Sequence, residues 1–151
     1  MIFTIKALGA KQVATRFERM GFAAVSAKPA METVAAMMMR IFSATFDSQG
    51  RRGGGSWKFD TTEWLTRKQR QGLDPRINHA TLALRRSLTI PGAHGQVLDV
   101  THTSVHLGSD LPYAATTQRH RPVVKFRLRD KQEIRMVVRD YLIAAWRAPV
   151  S

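Results

Sequence analysis

The chain has 151 residues, of which 44% are hydrophobic and 23% charged, and this is the size and composition of one folded domain with one core. It contains no cysteine, which excludes disulfides, thiolate metal sites and thiol catalysis. Its 24 Lys and Arg against 11 Asp and Glu give a formal charge of +13, which favours nucleic acid, an acidic protein or an anionic surface as a partner.

The N-terminal residues carry no targeting pattern. Residues 1–6 lack the basic start, the long apolar region and the cleavage site of a secretory signal, and we expect synthesis and use in a cytoplasm. The spacing of Phe3 and Ile5 predicts a short strand before Gly9. The longest apolar-rich stretch, residues 33–46, is interrupted by Arg40 and is shorter than the roughly 20 residues of a membrane span.

Two helices are predicted in the first third of the chain. An amphipathic helix is indicated by apolar residues three and four apart, namely Val13, Phe17, Met20 and Ala24. A second helix begins near Pro29, because the residue before a proline leaves helical geometry while proline suits a first helical position. It ends before Gly50 and is buried on much of its circumference, with an apolar face formed by Met31, Val34, Met38, Ile41, Phe42 and Thr45.

Residues 48–56 are predicted to form a flexible loop within this single domain of residues 1–151. The segment is too polar and glycine-rich to be ordered by its own packing. A nucleotide-binding phosphate loop would end in Lys and Ser or Thr, whereas Ser56-Trp57 stands here. We expect the loop to be mobile unless a neighbour orders it, so deleting residues 51–55 is expected to leave the fold intact.

Helices and loops are predicted up to about residue 88, and strands after it. Helical spacing at residues 61–68 and again at residues 77–88 is separated by Gly72 and Pro75. A strand through residues 88–90 should stop at Pro91. Residues 97–107 are rich in Val, Leu and Thr, and their change of parity predicts a bulge or turn near residues 101–104. A further half-buried strand is predicted from the alternation of Val124, Phe126 and Leu128 with basic residues.

A long amphipathic helix is predicted at the C-terminus. Asp130, followed by Glu133, resembles a capping arrangement at its start. Its basic face, with Arg135, Arg139 and Arg147, should point to solvent or a partner, while its apolar face should lie on the sheet. The apolar face is formed by Ile134, Val137, Val138, Tyr141, Leu142, Ala145 and Trp146.

No arrangement of residues indicates catalysis, and we expect a protein that is not an enzyme and has no cofactor. The acidic residues are scattered, and no serine stands in a Gly-x-Ser-x-Gly motif. On one continuous strand His102 and His106 would stand roughly 13 Å apart, too far to share a metal ion unless a turn brings them together.

Short motifs stand in a fixed order between Trp57 and Phe126. They are Trp57 with Thr61 and Thr62, Ile77 and Thr81 with Leu84 and Ser87, Gly108-Ser109 with Tyr113-Ala114 and Gln118, and Pro122 with Phe126. In their order and spacing these motifs resemble the phage virion morphogenesis family, the tail-completion and neck proteins of long-tailed phages. The chain departs from the family pattern at residues 119–121, where a glycine often follows the glutamine, and at residues 121–126, which replace Pro-Ala-Arg-Pro-Phe.

This resemblance implies an α+β subunit with a curved, mainly antiparallel sheet flanked by helices. It implies a ring, commonly a hexamer, that caps the tail tube as a tail terminator or joins it to the head connector. The implied partners are further copies of the chain, neck, connector and tail-tube proteins, and the genomic DNA passing through the lumen, with no membrane. The implied location is the neck of the virion, reached from the host cytoplasm during assembly.

Residues predicted to contact other subunits come from the loop and from the segment around Tyr113. That segment is either a simple turn with Tyr113 packed locally or an aromatic anchor at a subunit contact, where tyrosine is favoured. The predicted contact residues are Arg51, Arg52, Trp57, Leu111, Tyr113, Gln118, Arg119 and Arg121. The alternative function is a basic nucleic-acid-binding module, although the aromatic residues occupy core positions and are not interleaved with basic ones as in a base-stacking surface.

Overall fold

A computed structural model describes residues 10–53, 55, 57–58, 60–76 and 82–148. The predicted α+β class is confirmed: this part of the chain contains six α-helices and a two-stranded antiparallel sheet. In chain order the elements are α1 (Ala10–Val25), α2 (Lys28–Asp47), α3 (Thr62–Arg70), α4 (Ala83–Thr89), β1 (Gln96–Val100), β2 (Val105–Ser109), α5 (Ala114–His120) and α6 (Leu128–Arg147).

Helix α2 is the centre of the molecule and contacts α4, α6 and both strands. Phe42 and Phe46 are completely buried on it, and the three consecutive methionines 37–39 are all at least half-buried. The prediction that this helix is buried on much of its circumference is therefore confirmed. The main core cluster consists of Ile41, Phe42, Phe46, Trp57, Leu84, Leu88 and Val123.

The two strands form a hairpin, and its turn at residues 101–104 confirms the turn predicted from the change of parity. Val100 pairs with Val105, and the register continues to Gln96 opposite Ser109. The Thr101 hydroxyl accepts hydrogen bonds from the amides of Thr103 and Ser104, which closes the turn.

Helix α6 packs against α2 and also against α1. The ring of Phe17 meets that of Trp146 edge-on, with centroids 4.9 Å apart, and the Tyr141 hydroxyl donates to the carbonyl of Ser26 at 3.0 Å. The predicted apolar face of α6 is half-buried, and its three predicted basic residues are exposed. On α1, Phe17 and Phe22 remain 57% and 76% exposed.

Several predictions for the second half of the chain are wrong. Residues 124–127 are irregular and Leu128 begins α6, because Gln118 and Asp130 bind backbone amides that a strand would pair. Leu88 and Thr89 belong to α4 and not to a strand. Within the described residues α6 packs against α1 and α2 instead of the sheet, which is too small to cover a 20-residue helix.

The helix cap is also shifted. Asp130 is not the residue that precedes α6 but its third residue, and its carboxylate accepts the backbone N–H of Arg127 at 2.9 Å. The strand predicted at Phe3 and Ile5 and the helical start predicted at Ile77 and Thr81 lie outside the described residues.

Candidate functional site: a basic groove between two distant segments

Trp57 joins the glycine-rich segment to the segment before α6. Its ring packs edge-on against Phe46, with centroids 5.7 Å apart, and its indole N–H donates to the carbonyl of Pro122 at 3.1 Å. The side chain is only 4% exposed. Trp57 was predicted as a contact residue for other subunits, but its side chain is enclosed within this subunit and supports the core.

The turn before Trp57 depends on a glycine. Gly50 has a φ of +85°, a left-handed conformation that side chains disfavour. A Cβ atom at this position would stand 2.4 Å from Cδ1 of Trp57. Residues 51–53 then form one turn of 3-10 helix, in which Gly53 is buried. The absence of a side chain at Gly50 therefore lets the indole lie directly on the backbone.

Asp130 is a buried carboxylate with two cationic partners. The two terminal nitrogens of the Arg52 guanidinium donate to its two oxygens at 3.0 and 2.8 Å, and the side chain of Arg127 lies 3.3 Å away. Burial by itself would raise the pKa of Asp130, but the hydrogen bonds from Arg52 and Arg127 outweigh it and lower the pKa to about 2. Arg52, predicted as a contact residue, is thus anchored within its own subunit.

Asp60 is a second buried carboxylate with two cations. Lys68 and Arg121 each approach one of its oxygens at 2.6 Å. Burial raises the pKa of Asp60, and the hydrogen bonds from Lys68 and Arg121 reverse this effect and lower it. Lys68 also donates to the carbonyl of Arg76 at 3.0 Å. The pair fixes α3 against the segment that follows α5.

Gln118 holds the irregular segment after α5 in place. Its side-chain oxygen accepts the amides of Val123 and Val124 at 2.9 and 3.0 Å, and its side-chain nitrogen donates to the carbonyl of Val124 at 3.1 Å. These bonds satisfy backbone groups that no strand or helix pairs. Gln118 is also a predicted contact residue, but its side-chain oxygen and nitrogen form hydrogen bonds within the chain.

A groove of about 220 Å³ lies where the two segments meet. Among the residues in its walls are three basic side chains, and no Asp or Glu is among them. The walls are formed by Gly50, Gly53, Gly55, Trp57, Lys58, His120, Pro122 and Lys125. We call this feature the basic groove.

Positive charge is concentrated around the basic groove. Residues 48–60 and 118–130 together contain eight Lys and Arg against two Asp, an excess of six charges out of the chain's +13. The two aspartates are Asp60 and Asp130, each of which is already bound by two cations. No ion pair is found for Lys58 or Lys125 within the described residues.

The remaining predicted contact residues divide between the two ends of α5. Arg51 and Arg119 are exposed near the basic groove, and Arg121 binds Asp60. Leu111 and Tyr113 lie at the opposite end of this seven-residue helix, roughly 10 Å away along its axis. Leu111 packs on the core, whereas Tyr113 is 45% exposed. The exposed members of the predicted set, Arg51, Arg119 and Tyr113, therefore lie on two separate surfaces.

Sequence reasoning missed Lys58, His120 and Lys125 as walls of one groove, and it missed the pairing of Asp60 and Asp130. The partners Arg52 and Asp130 are 78 residues apart, and Arg121 and Asp60 are 61 residues apart. One available signal was the scarcity of acidic residues, since a basic chain has few carboxylates to balance its buried arginines.

A second, more apolar groove of about 210 Å³ lies between α4, β2 and α5. Its floor includes Leu84, Leu88 and Val123 of the core. Beside it the hydroxyl of Ser87 donates to that of Ser109 at 2.9 Å, which connects α4 to the end of β2.

The described residues show no group of three or more acidic or histidine side chains placed to hold a metal ion, although a turn does separate His102 from His106. Among the described helices, none has both the length and the apolar character needed to cross a bilayer.

The chain is thus an α+β protein with a basic groove. Comparison with protein-family models, with curated proteins and with solved structures finds no match.

Proposed function

We propose that the chain is a structural subunit of a bacteriophage virion, and that copies of it form a ring at the head–tail junction. The ring completes the tail or joins it to the head connector and leaves a lumen for DNA. The protein performs this role by presenting subunit surfaces, and it is not an enzyme.

The observation that carries the proposal is that several of the described motif residues contact one another across the chain. Trp57 donates to the carbonyl of Pro122, and Ser87 donates to Ser109. Gln118 binds the amides just after Pro122. Motifs that occur by chance along a chain have no reason to contact one another, whereas motifs that define a fold do. The contacts therefore favour a common fold as the origin of the resemblance.

The exposed apolar surface also supports assembly. Phe22 and Val25 at the end of α1 are 76% and 73% exposed, and Leu128 at the start of α6 is 72% exposed. Each strand of the hairpin pairs only with the other, so within the described residues both outer edges of the sheet have no partner strand. Exposed apolar residues and open sheet edges are features that subunit contacts cover.

The mass and symmetry of the purified protein test the proposal. Native mass spectrometry and negative-stain electron microscopy are expected to show a discrete ring, with six copies as the expected number, and affinity purification from infected cells is expected to bring down tail and connector proteins. A strictly monomeric protein that never enters virions would overturn the proposal. A monomer whose binding to DNA falls steeply with salt would instead favour the basic nucleic-acid-binding module.

A further inference from the structure

We propose that the basic groove binds a phosphate-class oxyanion, meaning one tetrahedral phosphate group. The site lies within a single subunit, so the inference does not depend on ring formation. The ligand is either free phosphate or a phosphate of a nucleic-acid backbone, and both offer the same chemistry to the groove.

The charges in the groove favour an anion. Lys58, His120 and Lys125 supply nitrogen donors from three positions in its walls. The carboxylates near the groove along the chain, Asp47, Asp60 and Asp130, are each bound to other cations and do not line the groove. An anion in the groove offsets the repulsion between the positive charges of Lys58 and Lys125.

The walls of the groove favour a tetrahedral phosphate over a planar carboxylate. Glycines 50, 53 and 55 lie in its walls, so these three positions place no side chain in the groove. A Cβ atom on Gly53 would stand 3.5 Å from Cδ of Lys125, so the stem of this lysine lies across the bare backbone. A tetrahedral anion has four oxygens to receive donors from several directions, whereas a carboxylate has two.

The walls of the groove are held in place by bonds that do not involve a ligand. Trp57 is tied to Pro122, and Arg52 is tied to Asp130 at the start of α6. The first bond joins two residues of the groove walls, and the second fixes the turn beside the groove to α6. A preformed site loses less conformational entropy when it binds than a flexible one does. Since Lys-Ser or Lys-Thr does not follow the glycines, the groove is suited to a single phosphate and not to a nucleoside triphosphate.

The first test is a titration of the ¹⁵N-labelled protein with inorganic phosphate at constant ionic strength, with sodium acetate as the comparison. We expect saturable chemical-shift changes at the amides of Gly50, Gly53 and Gly55 with phosphate and not with acetate. The double variant Lys58→Gln/Lys125→Gln is expected to weaken phosphate binding about tenfold or more, since it removes two cationic donors.

The matched control is Lys131→Gln/Arg135→Gln, which removes the same charge from exposed positions on α6. It is expected to leave phosphate binding within about twofold of the parent protein, and circular dichroism confirms that both variants fold. Equal weakening by the two double variants would overturn the proposal, because it would show that only net charge matters. Absence of saturable shifts at the three glycines would overturn it as well.

A second titration distinguishes the two sources of phosphate. A short DNA duplex that shifts the same glycine amides and competes with phosphate identifies the nucleic-acid backbone as the ligand. A duplex that leaves these amides unchanged while phosphate still shifts them identifies free phosphate. Both results support an oxyanion site, whereas a duplex that binds only at other residues, together with no effect of phosphate, contradicts it.

Discussion

Asp130 shows how a single buried carboxylate can organise a strongly basic chain. Its carboxylate lies at the start of α6, accepts a hydrogen bond from the backbone N–H of Arg127 and binds the guanidinium of Arg52. These two interactions place one acidic side chain between the glycine-rich segment and the last helix. Removing its charge leaves two guanidinium groups without their carboxylate, and a broken buried ion pair costs roughly 3 to 5 kcal/mol.

We predict that Asp130→Asn lowers the free energy of unfolding by about 3 kcal/mol at pH 7. The pKa of Asp130 is about 2 in the folded protein against the ordinary value of 3.8, so its charge stabilises the fold above about pH 4. This contribution, about 2 kcal/mol, is lost as the pH falls from about 4 through 2. Urea unfolding at several pH values measures this loss. Between about pH 4 and pH 2 the free energy of unfolding should depend less on pH in Asp130→Asn than in the parent protein.

Asp140→Asn is the matched control for this prediction. Asp140 binds Arg139 at 2.8 Å, but both side chains are more than half exposed. The control is therefore expected to change the free energy of unfolding by less than about 0.5 kcal/mol. A loss in Asp130→Asn no larger than in Asp140→Asn would mean that the buried pair does not stabilise the fold.

Gly50→Ala tests the contact between the turn and Trp57. We expect a loss of about 3 kcal/mol or more, because the new methyl group meets the indole and the backbone is left-handed. Gly72→Ala is the control, since Gly72 has a φ of +63° with open space around its Cβ position. It should show only the backbone cost of about 1 to 2 kcal/mol. Thermal or urea unfolding measures both losses. Equal losses of unfolding free energy in Gly50→Ala and Gly72→Ala would exclude a steric role for Trp57.

At the scale of elements, the segment at residues 48–56 is anchored differently from what the sequence predicted. A flexible loop ordered only by a neighbour was expected. Arg52 is instead bound to Asp130, and Gly53 is buried beneath the stem of Lys125. Whether the rest of the segment moves stays a prediction, but its centre is part of the subunit's own structure.

The expected effect of deleting residues 51–55 changes accordingly. The sequence predicted an intact fold, whereas loss of Arg52 leaves Asp130 with one cationic partner fewer and should lower the free energy of unfolding by roughly 2 to 4 kcal/mol. Urea unfolding of the deletion variant measures this loss. Arg51→Ser, which removes an exposed charge from the same turn, is expected to have little effect. A deletion variant as stable as the parent would restore the original expectation.

The arrangement of the whole molecule leaves one side incomplete. Helix α2 buries the core between α4, α6 and the hairpin, whereas α1 contacts mainly α6 and keeps large apolar side chains in solvent. A fold of this kind gains stability when further copies cover the exposed side. The proposed assembly would therefore use this exposed side of the molecule and not one loop alone.

We predict that Tyr113→Ala yields subunits that fold normally but assemble poorly. Tyr113 is 45% exposed at the start of α5, and its loss removes contact surface without opening a cavity in the core. Analytical ultracentrifugation measures the oligomer, and circular dichroism measures the fold. Trp64→Ala, which removes a 38% exposed aromatic side chain from α3, is the control. Normal assembly of the Tyr113 variant would show that the residue only fills a turn.

Elements with local signals were predicted well. The spacing of apolar residues located α1, α2 and α6, and the parity change located the hairpin turn, because these signals depend on residues only a few positions apart. The alternation at residues 124–128 was misleading for the same reason. Its two-residue period is compatible with a strand, but side-chain bonds from Gln118 and Asp130 take the amides that a strand would use.

The sequence by itself determined the class of the fold, the amphipathic helices and the excess of positive charge. Only the tertiary structure decided where that charge gathers, since Lys58, His120 and Lys125 come from segments about 60 residues apart. It also decided that Arg52, Trp57, Gln118 and Arg121 serve the interior of the subunit. Pairing over such distances depends on how the core brings the segments together, and no local pattern of residues encodes it.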